Sequence, residues 1–154
     1  MRVTLGVAVG AIVLAYAVLS GVWVSTNSSW YVSLEQPAWQ PPPWVFGLVW
    51  PYNFLALLLV GVLLAATGSM GRAGAFTLIL GGTVALAVSW AYLFYVPHSL
   101  TWATICLAAA TVLTVPLVVI AWTSRPWLGV ILLPYQAWLC IATSLSWAYA
   151  SQGR

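Results

Sequence analysis

Charge is almost missing from this 154-residue chain: it has no lysine and no aspartate, and its ionic residues are Arg2, Glu35, Arg72, Arg125 and Arg154. A soluble domain carries roughly 25% charged residues to keep its exterior in water. At 3% charged and 64% apolar, this chain has nothing with which to face water, so its solvent is lipid. Four scattered arginines form no basic stripe, which excludes a nucleic-acid reader. No Asp, Glu, Lys, Arg or His falls inside the long apolar runs, which removes the relay residues of ion-coupled pumps and any acid and base pair for hydrolytic chemistry. Cysteine is scarce too. Cys106 and Cys140 have neither metal-ligand spacing nor the pattern of a disulfide framework, and read as small apolar packers. His98, alone between Pro97 and Ser99, reads as a polar turn residue. No internal repeat is visible, which argues against an inverted-repeat transporter.

What is present is length between charges. The uncharged stretches 3–34, 36–71, 73–124 and 126–153 each exceed the roughly 20 residues that one helical span needs, and the third holds two. Cutting them at Gly, Pro and polar clusters predicts spans at Val3 to Val24, Trp44 to Ala66, Gly74 to Tyr95, Ser99 to Trp122 and Leu128 to Tyr149. Buried in lipid, such runs must pair their own backbone groups, and they are too long for barrel strands. The expectation is an all-α integral membrane protein, a five-transmembrane-helix bundle forming one domain over 1–154. The first run, about 22 residues, is longer than the 7–15 of a signal-peptide core and is kept as a span.

Five spans put the termini on opposite sides. Arg2, Arg72 and Arg125 then share one end, so the positive-inside rule predicts a cytoplasmic N-terminus, with the C-terminus and the long first loop on the other side. That loop, residues 25–43, contains Glu35 and ends in Pro41, Pro42 and Pro43, which favour extended polyproline geometry. It is expected to act as a stiff cap on the second span.

The eleven tryptophans test whether this is more than an interfacial belt, which would line both ends about equally. Trp23, Trp30, Trp39, Trp44, Trp50, Trp90, Trp102 and Trp147 fall toward the loop end, and Trp122 and Trp127 toward the basic end. Trp138 lies about ten residues into the fifth span, ~15 Å deep at the helical rise. Trp50 and Trp90 are deep as well, and Tyr52, Phe54, Tyr92, Phe94 and Tyr135 add rings in the same half. An indole N–H in hydrocarbon requires a partner. The asymmetry therefore predicts an aromatic cavity opening under the long loop and suited to planar hydrophobic molecules. Ser28, Ser29, Trp39 and Gln40 stand at its mouth. Small-residue patterns at Gly6 and Gly10, and at Gly81, Ala85 and Ser89, offer close helix contacts, the second as a dimer interface. Leu145, Tyr149 and Arg154 match a weak sterol-contact pattern.

Trp30-Tyr31, the run Leu34-Glu35-Gln36-Pro37-Ala38-Trp39-Gln40-Pro41-Pro42-Pro43-Trp44-Val45-Phe46, and Trp50 resemble the first loop and second helix of the TspO/MBR proteins, the tryptophan-rich sensory or translocator proteins. Leu133-Pro134-Tyr135-Gln136-Ala137-Trp138, followed by Ala142, Thr143 and Leu145, is similar to that family's fifth helix. The resemblance covers the whole chain. It implies a five-helix homodimer that binds porphyrins, haem and sterols under the first loop and needs no cofactor of its own. The family's cavity tryptophans match Trp50, Trp90 and Trp138, with Trp102 on helix four, and its small-residue position beside the ligand matches Ala142; together with Trp30, Trp39, Phe54, Tyr135 and Leu145 these are the candidate ligand-binding residues. In some bacterial members the tryptophans matching Trp50 and Trp138 support light-dependent breakdown of protoporphyrin. Where many members have Asn one turn before the helix-three tryptophan, this chain has Ala87, and Ala91 and Tyr92 replace prolines after it. His98 stands at a basic position, Cys106 at an acidic one and Ser146 at an Asn. These exchanges remove polar anchors and shift the expected preference toward less polar ligands.

The function expected is a membrane-embedded binding protein for tetrapyrroles or similar planar hydrophobic molecules, in sensing, transfer or disposal. The alternatives are a light- and oxygen-dependent porphyrin-degrading enzyme using Trp50 and Trp138, and a scaffold whose tryptophans only pack.

Overall fold

A computed structural model describes residues 1–152. Gly153 and Arg154 lie outside the described residues, and with them the arginine of the sterol-contact pattern and of the C-terminal end. Six α-helices and no strand occur among the described residues: α1 (Arg2–Trp23), α2 (Ser29–Ser33), α3 (Pro43–Thr67), α4 (Met70–Tyr95), α5 (Leu100–Ser124) and α6 (Pro126–Gln152). All but α2 are long and apolar enough to cross a membrane. They coincide with the five expected spans to within four residues at each end.

The helices pack as a circuit. α4 with α5 and α5 with α6 form the most extensive seams, α1 lies against α3 and α4, and α3 meets α6 to close the ring. Each helix buries one stripe at helical spacing: Val9, Val13 and Tyr16 on α1; Ala56, Leu57, Val60 and Leu64 on α3; Phe76, Leu80, Val84 and Ala87 on α4. The remaining faces carry exposed Val, Leu, Ile and Trp, as lipid requires.

Close approach depends on missing side chains. A Cβ on Gly61 of α3 would lie 2.6 Å from Val9 Cγ1 of α1, and one on Gly129 would lie 2.9 Å from the Trp122 backbone across the α5–α6 turn. Gly6 and Gly10 differ, because no atom of a neighbouring element lies within 4 Å of where their Cβ would sit, so no close helix approach depends on them. On α4, Ala85 and Ser89 face outward and Gly81 is half-buried.

The basic end is tied by arginine. Arg2 Nη1 donates to the carbonyls of Ala65, Ala66 and Gly68 at 3.2, 2.9 and 3.0 Å, and Arg72 Nη1 donates to the Thr123 carbonyl at 3.1 Å. Both cations therefore sit on the carbonyl ends of helices, α3 and α5, where partial negative charge collects. Ser69 Oγ caps α4 by accepting from Arg72 N–H at 3.3 Å.

At the other end, the loop is less uniformly extended than its prolines suggest. Residues 29–33 wind into α2 because Ser28 Oγ accepts from Tyr31 N–H at 3.2 Å, and because Trp30 and Tyr31 pack on rings of α4. Pro42 does keep polyproline geometry (φ −63°, ψ 154°), and Pro43 begins α3, where its absent N–H costs nothing.

Candidate functional site: two aromatic clusters under the first loop

Helix depth and loop placement bring rings together in two adjoining groups. In the first, α3 and α6 face each other through Trp50 and Trp138, with ring centroids 6.4 Å apart at 83°. Phe46, one turn before Trp50, sets its ring edge-on to Trp138 at 5.0 Å. Phe54 stacks with Trp50 at 5.6 Å, and Tyr16 of α1 closes the far side, edge-on to Trp50 at 5.9 Å and to Phe54 at 5.2 Å. Tyr135 is fully buried and donates its hydroxyl hydrogen to Tyr16 Oη at 3.3 Å. Ala142 packs against the same core.

The second group sits nearer the loop. Phe94 is its centre, touched by Trp30, Tyr31, Trp90, Tyr95 and Tyr149. Trp90 packs against both groups and joins them. Its Nε1 donates to Ser146 Oγ at 3.2 Å, and Ser146 Oγ lies 2.8 Å from Thr104 Oγ1, so one polar chain links α4, α6 and α5. The serine at the position where the family resemblance suggested asparagine thus satisfies the indole.

The loop is fastened at two places. Over the α4–α5 turn, Trp30 stacks on His98 at 3.7 Å and 12°, and His98 holds a left-handed backbone (φ 56°) that non-glycine residues seldom adopt. Along α6, Trp39 Nε1 donates to Ser144 Oγ at 3.3 Å, Tyr149 Oη donates to Gln40 Oε1, and Gln152 Nε2 donates to the Glu35 carbonyl at 2.5 Å.

The expected site residues divide accordingly. Trp50, Phe54, Tyr135, Trp138 and Ala142 meet in the first group, Trp30 and Trp90 in the second, and Leu145 is buried on α6. Trp39 is 58% exposed at the rim. Trp102 is 63% exposed on the outer face of α5 and joins neither group. Tyr52 and Tyr92 also point away: Tyr52 Oη donates to the Ile131 carbonyl at 2.9 Å, and Tyr92 meets Trp23 edge-on at 5.4 Å on the α1–α4 surface. Of the altered positions, Ala87 and Ala91 are buried and Cys106 is half-buried. The rings of the two groups fill one another's faces, because edge-to-face contact satisfies their quadrupoles. Cavities of about 180 and 250 Å³ lie elsewhere, at the basic end and between α5 and α6 beside Trp147.

Polar atoms in the first group are not all satisfied. Trp138 Nε1 is buried with no partner, as are both amide atoms of Asn53, one turn along α3 from Trp50. Asn53 was not anticipated, although it is the one asparagine in any span and an amide within hydrocarbon is itself a signal. The ring contacts of Tyr16 and Tyr95, and the part that Tyr31 and Tyr149 take in the second group, carry no signal in residue order, because pairing between distant helices leaves no local pattern.

Fold and site together define a polytopic helical membrane protein whose aromatic interior is capped by one long loop. The model of the TspO/MBR family matches residues 8–151. The chain belongs to that family. It is 28% identical over 120 residues to the translocator protein of Homo sapiens, covering 77% of this chain and 71% of that one. With the tryptophan-rich sensory protein of Cereibacter sphaeroides it shares 29% identity over 120 residues, 76% and 72% of the respective chains. An uncharacterized membrane protein of Bacillus subtilis, YtaB, is 29% identical over 147 residues, 94% of each.

Proposed function

We propose that this multi-pass membrane protein binds planar hydrophobic molecules, porphyrin or haem-type tetrapyrroles and also sterols, between α3 and α6 beneath the first loop. It would act in their sensing, transfer or disposal. The observation carrying this reading is the Trp138 indole N–H, buried without a partner against Trp50. A buried donor left unpaired costs about 1–3 kcal/mol, which a ligand acceptor would recover. Asn53 adds a second unpaired group on the same side of α3. Binding then parts the rings and places a flat molecule where they now meet, with no cofactor beyond the ligand itself. In this reading the basic end faces the cytoplasm, the loop faces the opposite side, and a second copy packs along Gly81, Ala85 and Ser89.

Titration of purified protein with protoporphyrin IX or haemin, followed by indole fluorescence, tests the proposal. Saturable quenching is expected, weakened in Trp138→Phe and unchanged in affinity in Trp102→Phe. Absence of saturation would leave the rings as packing alone. The enzymatic alternative draws on the 6.4 Å contact of Trp50 and Trp138. Illuminating the complex in air distinguishes it, since a binder leaves the pigment's absorbance no more altered than buffer does, and an enzyme bleaches it in a Trp138-dependent way.

A further inference from the structure

The cavity at the basic end is lined by Leu64, Thr67, Gly68, Ser69, Arg72, Ser124, Arg125 and Leu128, with a volume of about 180 Å³. It lies where the α3–α4 turn meets the α5–α6 turn, at the basic end of the bundle. Its floor is apolar, Leu64 and Leu128 each being 1% exposed, and its walls are hydroxyls and two guanidinium groups.

The balance of donors and acceptors there is one-sided. Thr67 and Ser124 spend their hydroxyl hydrogens on the Leu63 and Ile120 carbonyls of their own helices, at 2.9 and 2.7 Å. The carbonyl ends of α3 and α5, which would supply negative potential, are already occupied by Arg2 and Arg72. Arg125 is different: among the described residues its guanidinium makes no hydrogen bond and no ion pair, and the single acidic side chain, Glu35, is in the loop at the far end. Ser69 Oγ accepts from Arg72 N–H while its own hydrogen is uncommitted. The donors that line the cavity are therefore Arg125, Arg72 and Ser69, all three exposed, and among the described residues no acidic side chain stands beside them.

We propose that this cavity is a phosphate-group site, with Arg125 as its principal ligand and Arg72 and Ser69 beside it. A guanidinium fork matches phosphate oxygens two at a time, and a tetrahedral group with several acceptors suits donors that converge from two turns. The phosphate can be carried by an anionic lipid headgroup or arrive free from the aqueous side.

The test is thermal unfolding of the detergent-purified full chain with added phosphatidylglycerol, phosphatidylcholine or inorganic phosphate, for wild type, Arg125→Gln, Arg125→Lys and Arg2→Gln. A ligand held only by the folded state raises the unfolding midpoint in a saturable way. Phosphatidylglycerol, inorganic phosphate or both are expected to do so, and phosphatidylcholine to do so least. A response to the lipid alone identifies a headgroup, and a response to inorganic phosphate identifies a free anion. The apparent affinity should fall about tenfold or more in Arg125→Gln, which breaks no bond within the protein. It should fall severalfold in Arg125→Lys, which keeps the charge and loses the fork, while Arg2→Gln lowers the starting midpoint and keeps the response. No shift with either ligand would overturn the proposal. So would an unaffected Arg125→Gln, or equal losses in Arg125→Gln and Arg2→Gln, which would mean only diffuse surface charge.

Discussion

Replacing Asn53 by leucine should make this protein more stable and a poorer binder. Leucine has the branching of asparagine, with two methyl groups in place of Oδ1 and Nδ2. Both of those atoms are buried without partners on a residue that is 0% exposed. Each unsatisfied group costs about 1–3 kcal/mol in a protein interior, but polar contacts within membranes have measured nearer 0.6 kcal/mol on average, because the unfolded state in lipid also finds partners. Taking about 1 kcal/mol for each atom, between those figures, and setting the sum against about 1 kcal/mol of crowding by the larger methyls leaves a net gain of roughly 1 kcal/mol. For a chain of this size that raises the midpoint by about 2–4 °C. Thermal unfolding in detergent measures it, and protoporphyrin titration of the same sample should show affinity falling about five- to tenfold as a polar anchor is lost. A midpoint lowered by several degrees would refute the reasoning, because it would mean that Asn53 is held by a partner in the folded protein. A raised midpoint with unchanged affinity would keep the energetic part and remove Asn53 from the ligand site.

Two further outcomes follow from packing and the polar chain. Gly129→Ala should destabilise more than Gly61→Ala in thermal unfolding, by about 2–3 against 1 kcal/mol, because its Cβ would press on Trp122 backbone, whereas Gly61 meets the movable end of Val9. Ser146→Ala should lower stability by about 1–2 kcal/mol by stranding the Trp90 indole N–H, and Trp90→Phe should then cost less in that background than in wild type. A double-mutant cycle with no coupling would remove the Ser146 bond from the account.

Depth along the bundle axis was readable from residue order, and direction around each helix was not. Five charges and the runs between them placed every span, and the tryptophan asymmetry located the aromatic half. Trp102, Tyr52 and Tyr92 share that half yet face outward. The reason is that a helix in lipid is apolar all round, so no polar face announces which side is buried. The family motif aligned Trp50 and Trp138, but Tyr16 joins them from a helix with no such motif. The five-residue α2 was missed because it is held by a serine cap and contacts with α4, with too few residues to show a period.

The fastening of the loop has a consequence for kinetics. Among the described residues three hydrogen bonds tie its second half to α6, while Trp30 and Tyr31 hold α2 against rings of α4 and His98. At about 0.5–1.5 kcal/mol apiece, releasing the three bonds with α2 left in place costs on the order of 1.5–4.5 kcal/mol. Molecules with that half of the loop raised would then number from several in a hundred to several in ten thousand, and fewer still with α2 released as well. A ligand arriving from that end meets only this minority, so its apparent affinity is lower than its intrinsic affinity by the same fraction. The same closure slows departure. Loosening Trp30 or Gln40 should therefore change how fast a ligand exchanges before it changes where the ligand sits.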